Sequence, residues 1–451
     1  MAGNDGPTLN CETIEEYQKD PRIACKYGAK CYQKNSVHIN KYKHPPHVKD
    51  TKATKRRGAK RPNKVALPPQ SDSDGPDDGH VSDAASGTGS PKRKAPKLKA
   101  ASDNEEDQSG AGPSQDAAST VTVDVHSFDS EPELPPSPSD IKQSIKQKFL
   151  VEMPEDFYLF WDFCESVNGS NPALAFKDLG LRLVGPFDVL SSHFKLDSSQ
   201  RKQSLFLLHW RYYYDPPGFQ TVLKGDDTKQ FHIGYFRDDP KSMPAFLASN
   251  CAAKDGVFTQ VAENIFGAVN AYLNDLKKAS NPFLQSKIAR LQKSLQDYAK
   301  GSDITLDTKT QAMRLRDRKS VSKTFNGLGL VVPVEKRTEI GYRELIETDV
   351  NLKRILKRIA EAERQDVKDK GLDQLQQVIT AANIANDECD FGTSVELGLD
   401  LFAFGGPEFD QSALQLLTTG YTLLGRPEFA KIARVHINNR QKGVKLDMFS
   451  S

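Results

Sequence analysis

The chain has 451 residues, enough for two or three domains, with 62 basic and 60 acidic side chains and 37% hydrophobic content. The near balance of charge hides strong segregation along the chain, and the low apolar content predicts that part of it cannot pack a core. No apolar run of 18 or more residues and no N-terminal signal pattern occur, which predicts a soluble, intracellular protein with no membrane partner; six scattered cysteines exclude a disulfide scaffold.

The first motif is Cys25-x5-Cys31-x6-His38-x5-His44. Two thiolates and two imidazoles in about 20 residues suit a tetrahedral zinc ion. A segment this short buries too little apolar surface to fold alone, so the metal would supply its folding energy. His47 is an alternative ligand, but the spacing favours His44. Arg22, Cys25, Tyr27, Gly28, Cys31, Tyr32, Asn35, His38, His44 and Pro45 together resemble the PBZ finger, the poly(ADP-ribose)-binding zinc finger. The resemblance implies that Tyr27 and Tyr32 hold an adenine and that Arg22 belongs to the polymer-binding surface. An exposed ring offers any base a stacking face, and lysines 26, 30, 34, 41 and 43 would meet phosphates. Gln33 and Ser36 stand where the family usually has arginine and proline, which is expected to lower affinity for the polymer. The plainer alternative is a structural or general nucleic-acid finger.

Between Val48 and Asp140 the only aromatic residue is Phe128, and Ser, Gly, Pro, Asp and Lys dominate. Such a segment reads as a disordered tether. Lys52 to Lys64 and Lys92 to Lys99 form basic blocks, whereas residues 101–140 hold ten acidic side chains and no lysine or arginine. Basic runs of this kind predict nuclear localisation or nucleic-acid contact, against the plainer reading of a solvating spacer. The expected division is a finger at 20–48, a linker at 49–140, an α+β domain at 141–335 and a helical domain at 336–451.

In the body, residues 141–151 and 154–168 read as helices, the second with Phe157, Phe160, Trp161 and Cys164 on one core-facing stripe. Leu181 to Val184 and the aromatic run Leu205 to Tyr214 read as strands. So do Phe219 to Leu223 and Gln230 to Phe236, joined by a Gly225-Asp226-Asp227 turn. This predicts a mostly antiparallel sheet with flanking helices. His209 lacks a nucleophile and acid at useful spacing and reads as a packed histidine. Residues 260–299 read as two helices. Lys323 to Val334 reads as a glycine-rich turn leading into an apolar strand, without a phosphate-loop ending. Thr348 or Asp349 is expected to cap a helix through Leu352 and Ile359, after which all reads as helix.

One joint in that helical region carries chemistry: Ala385-Asn-Asp387-Glu388-Cys389-Asp390-Phe-Gly392, three carboxylates in four residues between two apolar runs. Neighbouring residues diverge on a regular helix but can converge on one cleft at a helix end. Crowded carboxylates disfavour one another's ionised form, which suits a general base; the plainer reading is a solvated helix end.

Taken together, six segments resemble the histone PARylation factor family, accessory proteins of the DNA-damage-activated poly(ADP-ribose) polymerases. They are Met153 to Tyr158, Leu208 to Pro217, Gly234 to Asp238, Lys323 to Val334, Gly341 to Leu345 and Ala385 to Asp390. The resemblance covers about residues 141–445, with Ile346 in place of an expected proline. It implies a factor that docks on the polymerase catalytic domain, where NAD is bound, and completes the active site. Glu388 would be the general base for serine acceptors on histones; Asp387, Arg343 and Tyr342 would belong to the shared interface. It also implies a nuclear, chromatin-bound location at sites of DNA damage. Two rival readings remain open: a free-standing enzyme built on Asp387, Glu388 and Asp390, and a non-catalytic adaptor that reads poly(ADP-ribose) on chromatin.

Overall fold

The structure is a computed structural model that describes residues 14–25, 38, 41–45, 130–191, 194 and 196–450. It divides into two units, residues 1–109 and 110–451. In the first, helix α1 (Ile14–Lys19) precedes strand β1 (Ile23–Ala24), which pairs in parallel with β2 (Tyr42–Lys43). Residues 49–129 lie outside the described residues, as do the basic blocks expected there.

The second unit begins with α2 (Ile141–Phe149) and α3 (Glu155–Val167). A five-stranded antiparallel meander follows: β3 (Arg182–Leu183), β4 (Phe219–Lys224), β5 (Phe231–Phe236), β6 (Phe246–Cys251) and β7 (Thr259–Ala262), with α4 (Gln203–Leu208) between β3 and β4. Helices α5 (Ile265–Ala279), α6 (Pro282–Gly301) and α7 (Gln311–Asp317) complete this half. The alternation of the strands divides their side chains between two clusters. Leu223, Ile233, Tyr235 and Leu247 join Phe157, Phe160, Phe187 and Phe266; Phe219, Phe236, Phe246 and Ala248 join Trp210, Tyr212 and Phe258. Gly234 is required by the pairing itself: a Cβ there would stand 2.4 Å from the Gln220 carbonyl oxygen.

The segment expected as a strand over 205–214 is instead α4 followed by a tight irregular turn. A buried polar network overrides aromatic strand propensity there. Arg211, 5% exposed, donates to the carbonyls of Leu207, Pro216 and Phe219 at 2.9, 3.2 and 2.8 Å. Asp215 accepts from Tyr212 N, Thr221 Oγ1 and His232 Nε2 at 3.0, 2.7 and 2.9 Å. His209 is a packed residue, buried and bonded to Asp188 Oδ2 at 2.9 Å, with Met448 N donating to its Nδ1 at 3.2 Å. The strand expected before Val334 is reduced to one bridge, Ser322 to Leu330.

The C-terminal half is helical: α8 (Asp349–Ala360), α9 (Gln365–Asp387), α10 (Phe391–Phe404), α11 (Pro407–Leu423) and α12 (Pro427–Asn439). Thr348, not Asp349, caps α8, its side chain accepting from Asn351 N. Nearly every residue of α10 is buried, because α9 and α11 pack on it. The same core cluster continues from the sheet's helix-covered face through Leu330 and Val332 into α10 and α12, so the joint before α10 rests on a fixed base.

Candidate functional site

Helix α9 ends at Asp387 because the chain turns sharply after it. Glu388 N donates to Ile384 O and Ala385 O at 3.1 Å each. Cys389 takes a left-handed conformation, φ 71°, and Asp390 N returns to Ala385 O at 2.8 Å. A non-glycine residue held there stores about 1 kcal/mol of strain. The turn is kept by its partners: Asp390 is buried and accepts from Gly341 N at 2.9 Å, while Gly392 N donates to Gly341 O at 2.9 Å. A Cβ on Gly392 would lie 3.0 Å from Gly341 O and 3.2 Å from the Tyr342 ring, as well as 2.8 Å from the Val332 side chain, so glycine here lets the 341–343 segment cross closely.

That crossing delivers Arg343. Thr393 clamps its backbone, its hydroxyl accepting from Arg343 N at 3.1 Å and donating to Arg343 O at 2.7 Å. The guanidinium donates to Asp390 Oδ2 through Nε at 2.9 Å and Nη2 at 2.7 Å, and to Glu388 Oε2 through Nη2 at 2.5 Å. Bonds to Glu388 and then Asp390 push the Arg343 guanidinium above its ordinary range. The crowding of like charge anticipated at this joint is therefore relieved by one shared cation. Asp387 is exposed, and the Glu388 side chain is about one-third exposed at 32%. Arg343 occupies Oε2 of Glu388 and leaves Oε1 to accept another donor. The Cys389 thiol is pushed up by burial, then by Asp390 and Asp387, which favours its protonated form.

Tyr342 precedes Arg343 in the crossing segment, and its partners are on other elements. Its hydroxyl meets Glu396 and Ser322, and burial raises it well above the ordinary phenol range. Two further acids stand behind it on α10. Glu396 is raised by burial; Asp400 is fully buried and raised well above the carboxyl range by burial, although its Oδ1 accepts from Phe325 N at 2.8 Å. Sequence reasoning missed Asp390 as the anchor of Arg343 and missed this pair. The available signal was two acids four residues apart, 396 and 400, in an otherwise apolar helix.

In the finger, the β1–β2 pairing and a bond from Cys25 N to Lys43 O at 3.0 Å draw Cys25 toward His44. Cys25 Sγ lies 3.7 Å from His38 Nε2, which lies 3.1 Å from His44 Nε2. Those are about the edges of a tetrahedron with Zn–N near 2.0 Å and Zn–S near 2.3 Å. These three residues form one metal-competent group, so the donor set fits zinc. Burial, then the His44 ring, lowers His38 toward the neutral form that ligates. Cys31, Tyr27 and Tyr32, and the alternative ligand His47, lie outside the described residues. Arg22 is bonded to Asp20, through Nη2 at 2.6 Å.

Compared with known proteins, residues 140–440 match the family model described as Histone PARylation factor 1, and residues 22–47 match the PBZ domain. The chain belongs to the histone PARylation factor family. Histone PARylation factor 1 of Danio rerio is 44% identical over 305 residues, 67% of this chain and 86% of the relative. The mouse protein of that name is 41% identical over 335 residues, 74% of this chain and 94% of the relative. A human protein named "Putative histone PARylation factor 1-like" is 38% identical over 344 residues, 76% of this chain and 97% of its own length. Every residue of the Arg343–Glu388 cluster lies inside the family match, and the finger lies outside it. No helix among the described residues is long and apolar enough to cross a membrane.

Proposed function

We propose that this histone PARylation factor docks on the catalytic domain of a DNA-damage-activated poly(ADP-ribose) polymerase and completes its active site, with Glu388 as general base. The observation that carries the reading is the Arg343–Glu388–Asp390 cluster, which presents one carboxylate oxygen from a rigid helix joint. A serine hydroxyl is a weak nucleophile at neutral pH and gains about 100- to 10,000-fold from a positioned base. Glu388 takes that proton as the serine oxygen bonds to the ribose carbon of NAD held by the polymerase. The carbon–nitrogen bond to nicotinamide breaks, and nicotinamide leaves. Asp387, exposed beside Glu388, contributes to docking. Tyr342 supports the interface from below by fixing the crossing segment.

The finger holds zinc through Cys25, Cys31, His38 and His44 and reads poly(ADP-ribose) with Tyr27, Tyr32 and Arg22. The protein acts in the nucleus, on histones and other chromatin proteins near damaged DNA. The test is to incubate a histone peptide with NAD and either the polymerase, this chain, or both. Serine product should require both proteins. Product from the chain alone would make it a free-standing enzyme, and identical product with and without the chain would leave the polymer-reading adaptor.

A further inference from the structure

Residues 130–140 form an extended strap along the second unit. Leu134 N donates to Arg201 O at 2.7 Å, Lys202 Nζ to Glu131 O at 2.5 Å, and Gln147 Nε2 to Pro135 O at 3.1 Å. The strap reads Leu134-Pro-Pro-Ser137-Pro138, and Ser137 is exposed. Its hydroxyl nevertheless accepts from Lys148 Nζ at 2.8 Å. Lys148 is 5% exposed; its amine bonds Ser144 Oγ at 2.7 Å, Ser144 O at 3.5 Å and Ser137, and stands 5.7 Å from the centre of the Phe206 ring, with no carboxylate among these partners. Among the described residues it forms no ion pair, and neither does Arg201, which lines the same groove of about 360 Å³. A buried cation without a counter-charge is an unfavourable arrangement, and burial lowers the Lys148 amine accordingly.

The geometry points to Ser137 as a phosphoacceptor for a proline-directed serine kinase, its phosphate seated on Lys148 and Arg201. Proline after the acceptor holds the strap extended, the form that can enter a kinase cleft. Transfer forms a bond from Ser137 Oγ to the γ-phosphorus of ATP as the bond to the β-phosphate breaks. ADP leaves, and the hydroxyl proton passes to the kinase's base. The dianion then meets the buried amine and an arginine, and ties the strap to α2. Other nearby charges are engaged: Lys142 with Glu155, Lys146 with Glu152, and Lys202 with the strap backbone. The strap's own acids, Glu131, Glu133 and Asp140, would oppose a phosphate, Glu131 while accepting from Ser204 N at 3.3 Å.

The sequence has two Ser-Pro pairs, Ser90-Pro91 and Ser137-Pro138, and no Thr-Pro. The full chain carrying Ser90→Ala is treated with a proline-directed kinase and ATP, mapped by mass spectrometry, and titrated by phosphorus NMR. The expected result is one phosphate on Ser137 with a titration midpoint at least about half a unit below the ordinary value near 6. Lys148→Met and Arg201→Gln should each return it toward that value. Acids on the strap can only raise the midpoint, so a fall that is lost in the two variants reports the two cations. An unmodified Ser137, a midpoint at or above the ordinary value, or one indifferent to both substitutions overturns the proposal. Arg201 is exposed, so that variant reports even where Lys148→Met perturbs folding.

Discussion

Arg343 is the residue on which the joint turns, because it bonds two acids with different duties. Asp390 is buried and structural, accepting from Gly341 N and from Arg343; Glu388 is partly exposed and keeps one oxygen open. The two can be separated by substitution. Asp390→Ala leaves a buried amide and the guanidinium without their acceptor and should lower unfolding stability by about 1–3 kcal/mol in urea titration. Asp390→Asn keeps one accepting oxygen and should cost less. Glu388→Gln changes neither the turn nor the anchor, so its melting temperature should match wild type within about 1 °C. If Glu388→Gln destabilises as much as Asp390→Ala, the division of labour between the two acids is wrong. The 385–390 stretch made the helix end and its three carboxylates legible in the sequence. The role of Asp390 was not, because its partners lie almost 50 residues upstream.

At the scale of elements, periodicity identified the long helices and the β4–β5 hairpin, since each buries one face and carries its turn in the sequence, but it left the short helix α7 and the strands β6 and β7 unread. It failed over 205–214, where Arg211 and Asp215 bind backbone groups that no local pattern announces. It also gave no warning that α10 is buried all round with two acids inside. Asp400 is raised well above the carboxyl range by burial, so the native state binds a proton that the unfolded chain has already lost. Stability from this group is therefore present at low pH. It is lost as pH rises from the ordinary carboxyl range through the raised folded value. Asp400→Asn, uncharged throughout, should flatten that loss, the gap in melting temperature over wild type widening from pH 5 to pH 8. A constant gap would show that Asp400 is not the titrating group. In the sheet, Gly234→Ala should cost about 1–3 kcal/mol, because the new methyl meets the Gln220 carbonyl rather than a side chain that can move.

For the whole molecule, finger and body form separate units, and their stabilities should be separable too. Chelating zinc should abolish finger structure, seen as loss of dispersed amide signals from residues 20–48, while the body's melting transition stays in place. A shift of both transitions together would contradict two independent units. The family follows from the body, whereas reading of the polymer is proposed for the finger, so Cys25→Ala should weaken poly(ADP-ribose) binding and leave serine transfer intact. The central claim is that Glu388 completes a shared active site. It is tested most directly by ADP-ribosylating a histone peptide with a DNA-activated polymerase plus wild type or Glu388→Gln, then treating the product with hydroxylamine. Hydroxylamine cleaves carboxylate esters and spares serine linkages. Wild type should yield resistant product and Glu388→Gln should lose it by about 100-fold or more. Equal resistant product from both proteins would contradict the account.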